Sequence, residues 1–529
     1  MINNITIVGG GSAGWMTAAT LVKAFPEKQI SVIESKDFPI VGVGESTLGG
    51  IRTWTRFIGL DETDFFPATD ASLKMSIKFT DFYKKNSGGF HYPFGQPFAP
   101  YNENPFDVWH KKKHYYPETP TSDLTACLFP ASSLWENNKY STNANGEFDN
   151  FLPDRDVAYH FDATKFGQWL KNNYCIPRGV TLIVNSVKKV FVNESGVEKL
   201  LMEDGSELTA DLFIDCTGWK SLLLGDALQE PFESYADMLP NNRAWATQVP
   251  YKNIEKELEP YTNCTAIGNG WVWNIPLWSR IGTGYVYSDK FIDPEDAKKE
   301  FKKHLKTKMV VERTEEEIEN LQFKDVQMRV GIHNKTFVKN VVAIGLAAGF
   351  IEPLESNGLF SVHEFLHKLI AVLKRNDISQ FDRDMYNVSC RNLFHGFSKF
   401  VALHYALSHR DDTPYWKAIK NKSFVDQHGD PYSLTRVDNF YELGNSFMNV
   451  WFYPPNIGGI PYIATGEQLF MWDDYRDSTS SLIHQYNPLE GIKPILESWE
   501  VRKNQWAKEA SKMPTLYEHL KKTYYTKVK

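Results

Sequence analysis

The opening thirty-four residues constrain the fold more than any other stretch. Ile5-Thr6-Ile7-Val8 is an apolar run of strand length, and Gly9-Gly10-Gly11-Ser12-Ala13-Gly14 follows it. Trp15 to Phe25 reads as a helix, and Ile30-Ser31-Val32-Ile33 as a second strand ending on Glu34. Strand, G-x-G-x-x-G, helix, strand and acid in that order make a βαβ unit built to hold a dinucleotide. Gly9 and Gly11 permit the tight turn and the approach of a pyrophosphate to the backbone, with Ser12 and Ala13 completing the turn. Gly14 permits close helix packing, and Glu34 can accept a hydrogen bond from an adenosine ribose hydroxyl. The motif alone does not separate FAD from NAD.

Two later stretches narrow the choice. Ala210 to Gly218 is an apolar strand ending in a D-x-T-G turn that contains Asp215 and Gly218. It follows an expected β-meander at Thr181–Ile183, Lys188–Val192 and Lys199–Met202. Val341 to Gly345 is a third strand of this kind. This order resembles the FAD-binding fold of flavin monooxygenases, where a second strand-turn closes over the dinucleotide. Val41 to Thr47, with Gly44, Glu45 and Ser46, suits a loop wrapping a cofactor.

Leu73, Met75, Ile77 and Phe79 alternate with Lys74, Ser76, Lys78 and Thr80, which predicts one strand with one polar face. Residues 86–150 are rich in Gly, Pro, Asn and aromatics with little periodicity, and read as inserted loops that form a substrate wall. Asp162 is expected to open a helix. Asn242–Pro250 and Gly282–Ser288 read as strands of a second sheet, and Pro294–Leu305 as an exposed amphipathic helix. Beyond Gly345, Pro353-Leu354-Glu355-Ser356-Asn357-Gly358 leads into Val362, Phe365, Leu366, Leu369 and Ile370 at helical spacing, so a helix begins near Ser356. Free backbone N–H groups at that terminus, with the helix dipole, make an anion site beside Glu355. On these residues alone, Glu355 and Ser356 would simply cap the helix. From there the pattern is largely helical apart from residues 453–466.

Composition excludes several classes. Lys plus Arg is 58 against 65 Asp plus Glu, and no long basic block is present, so nucleic acid is not an expected partner. Five scattered cysteines without metal-like pairing predict reduced thiols in a cytoplasmic protein. No apolar run approaches membrane-spanning length, and no signal peptide is expected.

Gly270-Trp271-Val272-Trp273-Asn274-Ile275-Pro276 puts Trp271, Trp273 and Ile275 on one face of a strand. With the N-terminal motif, W-x-W-x-I-P resembles the signature of the flavin-dependent halogenases, the tryptophan halogenase family. The resemblance also covers Gly42–Thr47, Ser76–Phe79, Asp215–Gly218 and Pro353–Gly358, in order along most of the chain. It implies an α/β fold. An FAD-binding, Rossmann-like module of the flavin monooxygenase type over residues 1–355 carries the inserted loops (86–150) and the second sheet (240–330). A largely helical substrate region over 356–529 packs on it.

The resemblance also implies an activity. Reduced FAD, supplied by a separate flavin reductase, reacts with oxygen, halide is oxidised to hypohalous acid, and that species travels to an electron-rich aromatic substrate. Lys78 matches the catalytic lysine and Glu355 the catalytic glutamate. Asn357 and Gly358 would bind halide through their backbone N–H groups, and Gly345 would line the flavin. Trp271 and Trp273 would keep bulky substrates from the flavin. A homo-oligomer is expected.

Three departures stand out. Asn357 replaces the family's common Thr, which changes the size and polarity of the halide site; bromide and iodide, being easier to oxidise, are expected over chloride. Tyr92-Pro93-Phe94 stands where the family commonly has H-P-F, with His91 one position early. Phe440-Tyr441-Glu442 and Trp451–Pro455 do not match the segment that holds the amino-acid backbone of tryptophan. Free tryptophan is therefore not the expected substrate; indoles, phenols and related rings are. Two alternatives stay open: a flavin-dependent aromatic hydroxylase, and a flavin-binding redox protein without turnover.

Overall fold

The computed structural model describes residues 2–36, 44–98, 105–142, 148, 151–375, 377–420, 423–425, 431–433, 460–468 and 489–526. The first strand (Asn4–Val8), the helix Ser12–Ala24 and the second strand (Gln29–Glu34) form the expected βαβ unit. They belong to a six-stranded sheet with the spatial order 337–338, 341–343, 212–215, 4–8, 29–34, 181–184, parallel except for its first edge strand. The meander expectation is corrected here: Thr181–Val184 is the outer parallel strand of this sheet, and only Val187–Asn193, Gly196–Met202 and Glu207–Leu208 pair antiparallel beside it.

A seven-stranded second sheet runs in the order 324–327, 243–250, 280–287, 270–276, 261–267, 76–80, 89–93. The expected strands at 242–250 and 282–288 and the W-x-W strand Gly270–Pro276 are its middle. The helix Pro294–Lys308 buries Ala297, Phe301 and Leu305 and presents its charges outward.

Two expectations fail in an informative way. The alternating stretch 73–80 is two strands, not one. Ser72–Lys74 joins a small sheet with Glu45–Ser46 and Ala158–Phe161, while Ser76–Thr80 joins the seven-stranded sheet. The handover falls at Met75, whose N–H donates to the Pro260 carbonyl and whose carbonyl accepts from Phe94. Likewise the region 86–150 contains more than loops. Gly89–Pro93 is the edge strand of the large sheet, and Pro105–Tyr115, Asp123–Leu128 and Ala131–Trp135 are helices.

One apolar core contains residues from both sides of residue 355, from Ile5 to Tyr525. The helix Leu489–Ser511 lies against the inserted helices, where Lys503 reaches Asp123 at 2.7 Å. Farther on, Tyr525 donates to the carbonyls of Phe66 and Ala71 at 2.9 and 2.8 Å, and its ring stacks on Trp278 at 4.0 Å. Both segments of the tryptophan comparison, 440–442 and 451–455, lie outside the described residues; Ile460–Gly466 is helical. Among the described residues no helix is long and apolar enough to cross a membrane.

Candidate active site

A cavity of about 1000 Å³ opens at the carboxyl ends of the parallel strands, where ligands of such sheets sit. Gly9, Gly11, Ser12, Ala13, Glu34, Gly44, Glu45, Ser46, Gly218, Gly345, Asn357 and Gly358 all line it, and so does Trp273. The glycine turn is shaped by contact: Gly9 has φ +116, and a Cβ there would lie 2.2 Å from the Cys216 carbonyl oxygen. Gly14 stands behind the wall, where a Cβ would lie 1.9 Å from the Gly9 carbonyl oxygen, so its role is packing. The volume reaches the upper end of the usual range for ligand sites, and the strand-end glycines leave a bare backbone cradle, so the residues fit a dinucleotide.

Some assigned residues act differently from the sequence expectation. Asp215 faces away from the cavity. It is fully buried, and it accepts from the N–H groups of Thr217, Leu223 and Leu224 and from the Thr217 hydroxyl at 2.6–3.0 Å. It therefore shapes the turn that carries Gly218 and does not line the cavity. Trp271 also stands behind the wall, and its indole N–H donates to Glu352 at 2.9 Å. The buried Glu352 carboxylate oxygen also accepts from Asn241 and from Tyr405, a polar knot that fixes the W-x-W strand. Glu34 does line the cavity, but it already accepts from Lys171 at 2.6 Å and from the Trp15 indole at 2.9 Å. A ribose hydroxyl would take one of its remaining lone pairs.

The helix after Glu355 begins at Gly358, with Asn357 at its cap. Its first turn is not bare. The Glu45 carboxylate accepts from the Leu359 N–H, and its oxygen would lie 2.8 Å from a Cβ on Gly358. An internal carboxylate thus already sits on the anion site. Burial pushes the Glu45 carboxyl up to about 7, against the pull of Lys74 and of that N–H. The buried Asn357 amide oxygen has no hydrogen-bond partner.

The lysine expectation requires correction. Lys78 lies on the strand face opposite Glu355. Its ammonium sits over the Tyr261 ring at 5.4 Å, and its cross-strand partner is His91, which stacks on Trp135 and hydrogen-bonds Ser76. Lys74 is the lysine on the Glu355 side. It is fully buried, and its ammonium donates to Ser46 Oγ at 2.8 Å, to the Thr47 carbonyl at 3.0 Å and to Ser356 Oγ at 2.8 Å. Ser46 and Ser356 line the cavity, so Lys74 stands immediately behind its wall. Burial lowers the Lys74 ammonium to about 7, even though Cys264, Glu355 and Glu45 all pull it up. By alternation Lys74 and Lys78 would share a face; the handover between sheets at Met75 breaks that parity. Ser356 adopts φ +57, a strained conformation for a non-glycine residue, which aims its hydroxyl at Lys74 and Ser46.

Glu355 is fully buried and 2.8 Å from Nε2 of His404, a residue that sequence reasoning missed. The His404 Nδ1 lies 3.0 Å from the Phe400 carbonyl, which can only accept, so Nδ1 carries a proton. Nε2 and the Glu355 carboxylate then have one proton to share. Burial raises the Glu355 pKa, opposed by His404 and Lys74. His404 lies forty-nine positions from Glu355 inside the helix Gln380–Ala406, and no local pattern joins the two. Phe79 holds its ring at 4.7 Å.

Tyr92 and Phe94 of the expected substrate wall lie on the Lys74–Glu355 side. Phe94 is 5.1 Å below the Lys74 ammonium, and the half-buried Tyr92 lies within the field of Glu355. Tyr92 stacks on Tyr462 at 5.8 Å. Pro93 pairs with Ser76 on the opposite strand face. The structure therefore brings Lys74, Glu355, His404, Tyr92 and Phe94 together behind the cavity and leaves Lys78, Pro93 and His91 outside the group.

The family described as tryptophan halogenase matches residues 4–450. The tryptophan 6-halogenase SttH of Streptomyces toxytricini is 34% identical over 445 residues, covering 80% of this chain and 82% of that protein. The tryptophan 7-halogenase RebH of Lentzea aerocolonigenes is 31% identical over 443 residues, covering 80% of each. Among solved structures, apo VirX1 superposes with a TM-score of 0.90 at 35% identity over 99% of both chains. The flavin-dependent halogenase BrvH from Brevundimonas superposes with a TM-score of 0.79 at 27% identity, covering 98% of this chain and 99% of that one. The cavity at the parallel strand ends, the W-x-W strand beside it and this breadth of match lead to one conclusion: the chain belongs to the tryptophan halogenase family of flavin-dependent enzymes.

Proposed function

We propose that the protein is an FADH2- and O2-dependent halogenase that oxidises halide to hypohalous acid and halogenates electron-rich aromatic rings such as indoles and phenols. Gly9 to Ala13, Glu34, Gly218 and Gly345 would hold FAD, supplied reduced by a separate reductase. When bound, reduced flavin with oxygen supplies the oxidising equivalent. The observation that carries the proposal is Lys74, a buried amine hydrogen-bonded to the cavity wall on one side and within the field of the buried Glu355 on the other.

The chemistry follows from that position. Halide binds at the first turn of the Gly358–Leu373 helix, through the Asn357 and Gly358 backbone. Hypohalous acid leaving the cavity meets Lys74. With its pKa near 7, that amine is present both as an ammonium, which donates hydrogen bonds, and as a free base, which can form a haloamine. Either form holds the electrophile toward the Tyr92–Phe94 side, where the ring would lie. Glu355 with His404 can then stabilise the ring cation and take its proton. Bromide and iodide are easier to oxidise than chloride and are the preferred halides in this reading. The sequence departures at 440–442 and 451–455 favour rings other than free tryptophan.

The test combines protein, FAD, a flavin reductase, NADH and oxygen with chloride, bromide or iodide. A panel of indoles, phenols and free tryptophan is offered, with products read by mass spectrometry. Halogen mass shifts are expected with the wild type. Lys74→Ala should lower halogenated product by at least about 10³-fold with FAD binding retained, whereas Lys78→Ala should keep most of the activity. Oxygen added without halogen would favour the hydroxylase. Loss in Lys78→Ala alone would return the catalytic role to Lys78.

A further inference from the structure

The helix Gly358–Leu373 carries a second arrangement that the halogenation chemistry does not use. The sequence His363-Glu364-Phe365-Leu366-His367 places two imidazoles one helical turn apart, on one face. Glu364 reaches between them. Its Oε1 lies 3.5 Å from Nδ1 of His363 and 3.8 Å from Nδ1 of His367. One ligand atom from each residue falls within 4.8 Å of the other two.

His363 makes this more than a surface ion-pair network. It is 1% exposed; its Nδ1 faces only the Glu364 carboxylate, and its Nε2 has no hydrogen-bond partner among the described residues. Buried polar groups are ordinarily paired, so a buried imidazole held by one long carboxylate contact leaves room for a further partner. The neighbours are arranged around it. Gly50 stands where a Cβ would come within 3.1 Å of His363 Cε1, so the facing helix Gly50–Ile58 leaves room for the ring. Phe57 of that helix sets its edge against His367 at 6.3 Å. Lys368 approaches the other Glu364 oxygen, Oε2, at 3.9 Å, which leaves Oε1 to the imidazoles.

We propose that His363, Glu364 and His367 bind one divalent transition-metal ion, zinc in the first instance, with water in the fourth position. A tetrahedral zinc ion with bonds of about 2.0–2.1 Å holds its ligand atoms about 3.4 Å apart. The two observed carboxylate–imidazole separations, 3.5 and 3.8 Å, need only small rotamer adjustments to meet that value. Two imidazoles and one carboxylate select zinc or its transition-metal neighbours over magnesium or calcium, which prefer all-oxygen shells. A second cluster of ligand-type residues among the described residues, Asp123, Cys127 and Glu500, is different. Lys112 and Lys503 already sit on its carboxylates at 2.7–3.0 Å and supply the positive charge. At the His363 cluster the one cation nearby, Lys368, stays at 3.9 Å on Oε2 and leaves Oε1 uncovered. The bound ion would pin the helix one turn beyond the end that carries the halide-binding backbone. This site is independent of the halogenase reading and would stand or fall separately from it.

The test uses tag-free full-length protein stripped with a chelator and titrated with ZnCl2 against a chromogenic zinc indicator. One equivalent should bind, and Zn2+ should raise the thermal midpoint. His367→Ala removes a half-exposed ring and should fold normally, checked by circular dichroism; it should weaken zinc binding by at least about tenfold. Glu364→Gln, which preserves shape, should also weaken binding. Co2+ in place of Zn2+ should give the visible absorption of a four-coordinate site in the wild type and lose it in His367→Ala. Failure of the wild type to bind zinc would overturn the proposal, as would equal affinity in the wild type, His367→Ala and Glu364→Gln.

Discussion

Lys74 and Lys78 differ by four positions and by everything that matters to a reactive amine. Lys78 is half-buried over an aromatic ring, whereas Lys74 is enclosed and ligated on all sides. The same scale carries a pH prediction at Glu45. Its carboxyl titrates near 7 and, when ionised, sits on the helix terminus where halide would bind. Above pH 7 the carboxylate competes with halide for that terminus. Below pH 7 protonation, opposed only by Lys74 and the Leu359 N–H, weakens its hold. The halide KM should therefore rise as pH increases through 7, measured at saturating reductant and substrate. Glu45→Gln should flatten that dependence, and a slope unchanged in the variant would remove Glu45 from the halide site.

At the scale of elements, much of the fold could be read because its signals are local. The glycine turn, the helix after it and Glu34 lie within one βαβ unit, and each residue's role follows from its neighbours in sequence. The W-x-W strand was legible for the same reason. What could not be read depends on contacts between distant segments. The split at Met75 requires the Pro260 carbonyl and Phe94, far along the chain, so alternation alone assigned Lys74 and Lys78 to one face. His404 joins Glu355 only because the Gln380–Ala406 helix crosses behind the site. Asp215 looked like a ligand residue because it begins a D-x-T-G turn, yet its carboxylate is consumed by its own turn. Asp215→Asn keeps the size but removes the charge and one pair of acceptor sites from these four donors. It should cost about 2–3 kcal/mol, read as a fall in the denaturation midpoint, and loosen FAD binding with it.

For the whole molecule, the candidate site is braced from the far end of the described chain. Tyr525 fills the space between Trp278 and the carbonyls of Phe66 and Ala71, directly ahead of the strand Ser72–Lys74. Tyr524 adds a bond to Glu62 at 2.6 Å. Tyr525→Ala should cost about 3–5 kcal/mol by the loss of a buried ring and two hydrogen bonds. Halogenation should fall with stability when measured at a fixed temperature near the new midpoint. Tyr525→Phe, which keeps the ring, should cost only about 1–2 kcal/mol. Equal midpoints for Tyr525→Ala and wild type would show that the brace carries no load.

An ammonium has three hydrogens, and at rest Lys74 has committed all of them, to Ser46, to the Thr47 carbonyl and to Ser356. In the proposed reaction, the group that would capture the oxidant is thus latent. It has nothing to offer until one of the two serines turns away or the amine sheds a proton. Both serines belong to the cavity wall. Readiness of the amine is therefore tied to whatever disturbs that wall, and an empty protein has its most reactive nitrogen sheathed. If the intermediate is hypohalous acid, as proposed above, which would attack the protein's own tryptophans, cysteines and methionines, that resting state is a form of self-protection built from three ordinary hydrogen bonds.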